Sequence, residues 1–166
     1  DSLLNSVKRI SDELKFPLVF YHCPGATGNK VGLDTMLNIM QVPQMKAIKD
    51  SSGDIYLFAE LLRRYPDPDN RPCQILQGDE NIYDISLLMG ANGVITGGGT
   101  AFIDILVKLY NAAVVDKDMQ KAFKFQQQFR KNMDEMLGPD LLTDWMYAIK
   151  SKLKEKGVMD NNVTFP

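Results

Sequence analysis

The sequence predicts an α/β fold in which short parallel strands alternate with helices, and three observations support this prediction. Short apolar runs recur at intervals of roughly 20 to 30 residues, each closed by a turn rich in Gly, Pro or Ser. The segments between these runs carry apolar residues at helical spacing. The chain has 166 residues, whereas a complete (β/α)8 barrel needs about 250. We therefore predict half of such a barrel, four βα units followed by helices.

The first strand is predicted to follow an amphipathic helix. Apolar residues spaced four, three and four apart predict that helix over residues 2–15, and Pro17 ends it. The apolar run of residues 18–21 predicts a short buried strand. Residues 22–25 then form the turn that closes the strand.

The same alternation continues through three further units. Residues 51–54 follow the second strand, and their Ser, Gly and Asp content is typical of a helix cap. Three glycines at residues 97–99 close the fourth strand. The predicted elements of these units are, in chain order, a helix at 34–41, a strand at 45–49, a helix at 55–65, a strand at 73–77, a helix at 81–89 and a strand at 93–96.

Helices without intervening strands form the last part of the predicted fold. Their apolar and aromatic residues keep three- and four-residue spacing, which is typical of core or of a surface facing a partner. These helices are predicted around residues 102–114, 122–136 and 142–153. We divide the chain into the βα units, residues 1–100, and the final barrel helix with a C-terminal helical extension, residues 101–166.

Composition and charge disfavour several classes of function. The chain carries 19 Lys and Arg against 21 Asp and Glu, so a surface that follows nucleic-acid phosphates is not expected. It shows neither a secretory signal nor an apolar run that could span a membrane, so we expect no membrane partner and a cytoplasmic location. The chain begins at Asp1 rather than at Met, and we expect it to be a piece of a longer protein.

Lys49 is the residue most informative about chemistry. It ends an apolar strand and shares strand parity with Met45 and Ala47, so that face would place an ammonium against apolar walls. Such an environment favours the uncharged amine, which is the nucleophile of Schiff-base chemistry. The alternative is a lysine whose stem lies along the strand end while its ammonium reaches water.

Tyr21 ends the preceding strand on the same face as Val19. The C-terminal ends of parallel barrel strands meet at one rim, so Tyr21 and Lys49 are expected side by side. A phenol there can relay a proton to a substrate oxygen; alternatively, Tyr21 is a core tyrosine with its hydroxyl satisfied by backbone. After the third strand, Asp79 and Glu80 either hold substrate hydroxyls or are first-turn residues favoured by the helix dipole.

Other polar residues have plainer interpretations. His22 points away from Tyr21, so we expect a buried histidine between strand and helices. Cys23 and Cys73 lack the spacing of a zinc site, so we expect small core residues and no metal ion. The Gly-rich turns match no nucleotide-binding motif. The turn at residues 24–28 either presents backbone N–H groups to a carboxylate or only reverses the chain.

Four motifs follow the predicted strands. They are Phe20-Tyr21-His22-Cys23-Pro24-Gly25-Ala26-Thr27-Gly28, Lys49-Asp50-Ser51-Ser52-Gly53-Asp54, Gly78-Asp79-Glu80 and Met89-Gly90-Ala91-Asn92-Gly93-Val94-Ile95. In order and interval they resemble the N-acetylneuraminate lyase and dihydrodipicolinate synthase family over nearly all of the chain. The resemblance implies the C-terminal half of a TIM (β/α)8 barrel with C-terminal helices, from a class I, pyruvate-dependent aldolase.

The resemblance also implies roles for individual residues. Lys49 falls on the lysine that forms the imine with pyruvate, and Tyr21 on the tyrosine that handles the proton at the bond being made or broken. The implied substrate-binding positions are Ser51, Gly78, Glu80, Asn81 and Gly97. The implied reaction needs no metal or organic cofactor, and the implied partners are pyruvate, an aldehyde or sugar, and further copies of the protein in a homotetramer.

Several positions depart from the family pattern and bear on the substrate. Asn81 replaces an acidic residue typical of sialic-acid binders, and Gly97 replaces a serine. Ala26 stands where the synthases carry an arginine for the carboxylate of the aldehyde, which favours a lyase. The hydroxyl pair that binds the pyruvate carboxylate belongs to a strand that this chain does not contain.

The expected activity is that of an N-acetylneuraminate lyase, which cleaves its substrate to N-acetylmannosamine and pyruvate. The alternatives within the class are 4-hydroxy-tetrahydrodipicolinate synthase and a 2-oxo-3-deoxy sugar acid or hydroxy-oxoglutarate aldolase. An alternative of another class is a non-catalytic fragment or interaction module, because a half-barrel leaves open strand edges.

Overall fold

A computed structural model describes residues 2–138 and 145–164. Four strands form one sheet: β1 (Leu18–His22), β2 (Met45–Asp50), β3 (Gln74–Gln77) and β4 (Gly93–Val94). They are neighbours in chain order, and every pair is parallel. The predicted α/β fold of parallel βα units is confirmed.

Eight α-helices lie among the described residues. They are α1 (Ser2–Leu14), α2 (Pro24–Thr27), α3 (Leu33–Met40), α4 (Ile55–Arg64), α5 (Tyr83–Leu88), α6 (Ile103–Tyr110), α7 (Met119–Leu137) and α8 (Trp145–Glu155). The last predicted helix included Leu142, which lies outside the described residues. No helix in residues 2–138 or 145–164 combines the length and apolar character needed to cross a membrane.

The structure differs from the predicted elements at three places. The turn after β1 contains the short helix α2, which Pro24 begins and Gly28 ends with a left-handed φ of 71°. Strand β4 has two residues instead of four, because the chain enters a 3-10 turn at Gly98–Thr100. The helix predicted over residues 102–114 is α6 followed by a π-helical turn at Asn111–Val115.

The core of the first part of the chain lies between the sheet and its helices. Ile48 and Ile75 on the strands are fully buried, and they pack in one cluster with helical residues such as Ile39, Phe58 and Leu61. These residues lie on one face of each strand or helix, so the apolar periodicity and the core agree. The opposite face of the sheet carries Val19, Tyr21 and Lys49.

The expectation that Met45 shares a face with Lys49 is wrong. The register shifts between Leu18 and Val19, which pair with Met45 and Ala47, so β2 contains one additional residue there. Met45 is buried in the same cluster as Ile48, and Lys46 is exposed. A β-bulge of this kind reverses the parity of everything before it, and hydrophobic alternation alone does not reveal it.

The chain forms two compact units, Asp1–Ile95 with the sheet and Thr96–Pro166 with α6, α7 and α8. In the second unit the rings of Phe102 and Phe129 meet edge to face, with centroids 6.5 Å apart. Along α7, Ala122, Phe129 and Met133 are buried. The interpretation of this helical stripe as core is therefore confirmed.

Candidate functional site

Tyr21 and Lys49 lie opposite each other near the C-terminal ends of adjacent strands. Tyr21 on β1 is in register with Lys49 on β2, which is in register with Leu76 on β3. Successive side chains of a strand point to opposite faces, so the next row, His22 and Asp50, faces the buried core. The expected juxtaposition of Tyr21 and Lys49 is present.

The amine of Lys49 contacts an aromatic ring. The side chain is half-buried, and its Nζ lies 4.3 Å from the ring centroid of Tyr21, within cation–π range. Within the described part of the chain, Nζ has no carboxylate at ion-pair distance. The amine is therefore available to an incoming carbonyl without first breaking a salt bridge.

The surroundings of Tyr21 raise the pKa of its phenol. The neighbouring Cys23 side chain raises the pKa of Tyr21 above its ordinary value, and partial burial raises it further. Ser51 lowers the pKa of Tyr21, although the Ser51 Oγ forms no hydrogen bond within the described residues. Tyr21 thus carries a proton at neutral pH, as an acid that donates to a carbanion or an oxygen must.

Ser51 and Gly78 adjoin Lys49 on the β3 side. A Cβ placed on Gly78 would overlap Ser51 Oγ and lie 2.7 Å from Lys49 Cε. The Gly78 N–H donates to the backbone oxygen of Asp50 over 2.7 Å, which brings the two chain segments this close. The structure therefore brings four of the predicted site residues together: Tyr21, Lys49, Ser51 and Gly78.

Glu80 and Asn81 lie in the turn between β3 and α5. Asp79 Oδ1 accepts hydrogen bonds from the Asn81 backbone N–H, at 3.0 Å, and from its side-chain amide, at 2.8 Å. Gln77 Oε1 accepts from the N–H groups of Gly78 and Asp79. Asp79 therefore serves the turn itself, and the Asn81 amide is directed to Asp79, while Glu80 is half-buried in the same turn.

Gly97 belongs to the second compact unit, and its surroundings are described there. A Cβ on Gly97 would overlap the ring of Trp145, which packs directly against the Gly97 backbone. A side chain at Gly97 would therefore displace the indole.

His22 is buried and has a partner on each ring nitrogen, as expected. Its Nδ1 lies 2.8 Å from Asp50 Oδ1, and its Nε2 accepts the Val31 backbone N–H at 3.1 Å. Asp50 is also buried, and it was not among the candidate residues of the sequence. The position of each residue directly after Tyr21 or Lys49, at the end of its predicted strand, is the sequence signal that could have indicated this pair.

The two cysteines have different environments. Cys73 is buried in the core, where desolvation raises the pKa of its thiol to about 11. Cys23 is only half-buried, so the expectation of a core residue is wrong for it. Cys23 lies two residues after Tyr21, and residues at this spacing share one face of a strand. This spacing is the sequence feature that could have placed the thiol beside the phenol.

Comparison with protein families finds a match over nearly the whole chain. A model of the dihydrodipicolinate synthetase family aligns with residues 2–166. The chain belongs to the dihydrodipicolinate synthetase family. The matched range contains both Tyr21 and Lys49.

Individual relatives within the dihydrodipicolinate synthetase family carry two different names. A 4-hydroxy-tetrahydrodipicolinate synthase of Methanosarcina barkeri is 28% identical over 112 residues, covering 68% of this chain and 38% of its own length. An N-acetylneuraminate lyase of Escherichia coli is 30% identical over 124 residues, covering 73% of this chain and 39% of its own length. The family is therefore clear, and both activities occur among its similar members.

A solved structure in the family has the same fold over almost the whole chain. The dihydrodipicolinate synthase of Bacteroides thetaiotaomicron superimposes with a TM-score of 0.82 at 26% identity, covering 98% of this chain and 53% of its own. The chain thus spans about half the length of this relative. The predicted half of a TIM barrel is confirmed.

Proposed function

We propose that this chain supplies the Schiff-base half of a class I aldolase, which cleaves a 2-oxo acid reversibly to pyruvate and an aldehyde. The observation that supports the proposal most directly is the Lys49 amine, free of any ion pair in the described residues and 4.3 Å from the Tyr21 ring. A family of synthases and lyases provides the chemical context.

The proposed reaction begins at Lys49. The amine attacks the C2 carbonyl of the substrate, and loss of water leaves an imine. The C3–C4 bond then breaks, its electrons move into the protonated imine, and the C4 hydroxyl loses its proton as the aldehyde forms. Tyr21 relays the proton from that oxygen to C3, so the phenol ends in its starting state. Water then hydrolyses the remaining imine, which releases pyruvate and restores the Lys49 amine.

The proposed substrate is N-acetylneuraminate, and the proposed aldehyde is N-acetylmannosamine. Support comes from the similarity to the Escherichia coli lyase and from Ala26, which leaves no cation for the carboxylate of a synthase substrate. By the family resemblance, the sugar part would bind near Ser51, Gly78 and the Glu80–Asn81 turn. Glu80 would then contribute a carboxylate to the sugar hydroxyls.

A second candidate is 4-hydroxy-tetrahydrodipicolinate synthase. The similarity to the synthase of Methanosarcina barkeri favours it, as does Asn81, which lacks the acidic group of the sialic-acid binders. Both candidates use Lys49 in the same way, so the aldehyde distinguishes them. A homotetramer remains a prediction of the family resemblance, and a cytoplasmic location remains a prediction of the sequence.

The decisive experiment uses the whole protein, meaning this chain together with the remaining barrel units. Borohydride reduction in the presence of pyruvate should add one pyruvate to Lys49, as located by peptide mass spectrometry. Lys49→Ala should lose the adduct completely. Lys46→Ala is the matched control, because Lys46 lies on the same strand but is exposed at its beginning, and it should trap pyruvate normally.

Turnover then identifies the aldehyde. Release of N-acetylmannosamine from N-acetylneuraminate supports the lyase, whereas consumption of aspartate semialdehyde with pyruvate supports the synthase. An adduct on another lysine, or normal turnover in Lys49→Ala, would refute the mechanism. A folded whole protein that traps no pyruvate would favour the non-catalytic alternative.

A further inference from the structure

A buried hydrogen-bond network lies directly behind the Tyr21–Lys49 pair. His22 is the last residue of β1 and Asp50 the last of β2, and the two are in register. Their side chains are 3% and 2% exposed and join through Nδ1 and Oδ1 at 2.8 Å. Burying such groups costs free energy unless each polar atom has a hydrogen-bond partner, so the partners of both side chains need to be identified.

The partners of the imidazole define its tautomer. The Val31 N–H donates to Nε2 at 3.1 Å, so this nitrogen carries no hydrogen. A neutral ring then has its hydrogen on Nδ1, which donates to Asp50. The imidazole therefore joins the loop before α3 to the end of β2 through two directional bonds.

The carboxylate of Asp50 is held from several directions. Its Oδ1 also accepts the Ser52 backbone N–H, and its Oδ2 accepts the Ser52 hydroxyl, each at 3.1 Å. The Ser52 Oγ in turn accepts the N–H of Asp54, whose side chain caps α4. The network thus connects the ends of both strands to the first turn of a helix.

Within the described residues, the Tyr21 side chain is only partly packed. Its side chain is 52% exposed, so the direction of the phenol depends on the backbone at the end of β1. That backbone is joined to β2 by the Ser51 N–H, which donates to the His22 carbonyl at 2.8 Å, and by the His22–Asp50 pair. The pair lies one residue beyond both reacting side chains.

We propose that His22 and Asp50 form a positioning pair for the Schiff-base reaction. By holding the ends of β1 and β2 together from the helix side, the pair sets the position of the Tyr21 phenol relative to the Lys49 amine on the other side. The inference rests on the proposed function, since it concerns proton transfer at the imine. Neither residue contacts the reacting atoms, so both act through their neighbours.

Two substitutions of His22 separate the two bonds of the ring. In His22→Asn the amide nitrogen is attached to Cγ, as Nδ1 is, so a donor to Asp50 remains. In His22→Gln the amide group lies one bond further out, at the place of Nε2, so an acceptor for Val31 remains but the bond to Asp50 is lost. Only the first variant preserves the side-chain link between the strand ends, while the backbone bond from Ser51 to His22 remains in both.

The experiment measures kcat, KM, pyruvate trapping and thermal stability in the whole protein. For His22→Gln we expect a loss in kcat of about 10²-fold, the effect of misplacing a reacting group by about 1 Å, with KM little changed. His22→Asn should retain most of the kcat, although it is also less stable than the wild type. Rescue by the variant that keeps the Asp50 bond is not expected of a purely structural histidine.

Ser11→Ala is the matched control for loss of a buried hydrogen bond. The Ser11 hydroxyl donates to Gln44 Oε1 and joins α1 to the beginning of β2, at the end of the strand away from Lys49. Its removal should lower thermal stability and leave kcat unchanged. If His22→Gln does not fold, Ser52→Ala decides. It removes the two bonds of the Ser52 hydroxyl, to Asp50 and from the Asp54 N–H, at the outer end of the network, and it should lower kcat several-fold.

Three results would overturn the positioning role. The first is a wild-type kcat in folded His22→Gln or, where that variant does not fold, in Ser52→Ala; the second is an equal loss in His22→Gln and His22→Asn. The third is a loss in Ser11→Ala as large as that in His22→Gln. Pyruvate trapping by the wild type is measured first: without an adduct on Lys49 the proposed function fails and the positioning role with it, whereas an adduct combined with any of these results refutes positioning alone.

Discussion

Tyr21 and Lys49 are exposed to different degrees, and this difference matters for their proposed roles. Lys49 is half-buried between strands, whereas the Tyr21 ring is 52% exposed and covers the amine from one side. In this position the Tyr21 ring contacts the amine on one side and is exposed on the other. Its raised pKa, caused chiefly by Cys23, keeps it in the form that donates a proton.

Replacing Tyr21 with Phe tests the proton relay. The ring that contacts Lys49 remains, so the imine should still form and pyruvate should still be trapped. Cleavage should slow by about 10²- to 10⁴-fold, the usual contribution of a placed acid or base. Stopped-flow kinetics with N-acetylneuraminate would measure this, and an unchanged cleavage rate would remove Tyr21 from the mechanism.

Gly78→Ala tests the space beside Lys49. The new methyl group would overlap Ser51 Oγ and crowd Lys49 Cε, so the lysine must leave its present position. We expect pyruvate trapping to fall well below that of the wild type, while the circular dichroism of the folded protein is retained. Gly32→Ala is the control, since a Cβ there meets no atom within 4 Å; equal trapping by both variants would contradict the expectation.

The two thiols should react in a fixed order. Burial raises the pKa of Cys73 to about 11, so its thiolate is scarce at pH 8, whereas Cys23 is half-buried beside Tyr21. A disulfide reagent followed by peptide mass spectrometry should find Cys23 modified first.

The folded chain also binds the Cys73 proton more tightly than the unfolded chain does. The stability gained from this tighter binding is present below about pH 9 and is lost as the pH rises toward 11.

At the scale of elements, α4 and α7 each begin where a carboxylate accepts a free backbone N–H. Asp54 accepts from the Leu57 N–H at 3.0 Å and begins α4. Asp118 accepts from the Lys121 N–H at 2.9 Å and begins α7. Each cap satisfies one of the donors that the first turn of a helix leaves unpaired.

Substituting either cap with Ala should lower the free energy of unfolding by about 0.5 to 2 kcal/mol. Asp54→Ala tests the first unit and Asp118→Ala the second, both by urea unfolding of the whole protein. Asp12→Ala is the control, because Asp12 is an exposed residue within α1 and caps no helix. A stability change in the control as large as in Asp54→Ala would argue against the capping role.

At the scale of the whole molecule, the sheet has two edges and an uncovered apolar surface. Within the described residues β1 pairs only with β2. Phe16, Val19 and Leu14 next to this edge are 67%, 56% and 52% exposed. Open edges and contiguous apolar surface favour association with another strand or another chain.

The 166-residue chain on its own should therefore not behave as a stable monomer. Light scattering should show association, and thermal unfolding should not occur as a single cooperative transition. With the remaining barrel units present, of about 33 kDa in total by the size of such barrels, unfolding should become cooperative. A monomeric 166-residue chain that melts cooperatively would refute this prediction.

Much of this fold follows from local patterns in the sequence. The run at residues 18–21 and the run ending in Lys49 predicted β1 and β2 to within one residue, because buried parallel strands are short apolar runs closed by turns. Strand parity placed Tyr21 beside Lys49 and turned His22 to the other face. The family motifs rest on the same residues, so the candidate site was accessible before any coordinates.

Tertiary structure decided what local patterns do not encode. The bulge at Lys46 sent Met45 into the core, because register depends on the neighbouring strand and not on alternation within one strand. The His22–Asp50 bond joins residues 28 positions apart. The close approach of the Gly78 backbone to the Lys49 side chain depends on how closely β2 and β3 approach. Local sequence patterns indicate which side chains share a face of a regular strand, whereas bulges and the distances between different elements are set only when the whole sheet packs against its helices.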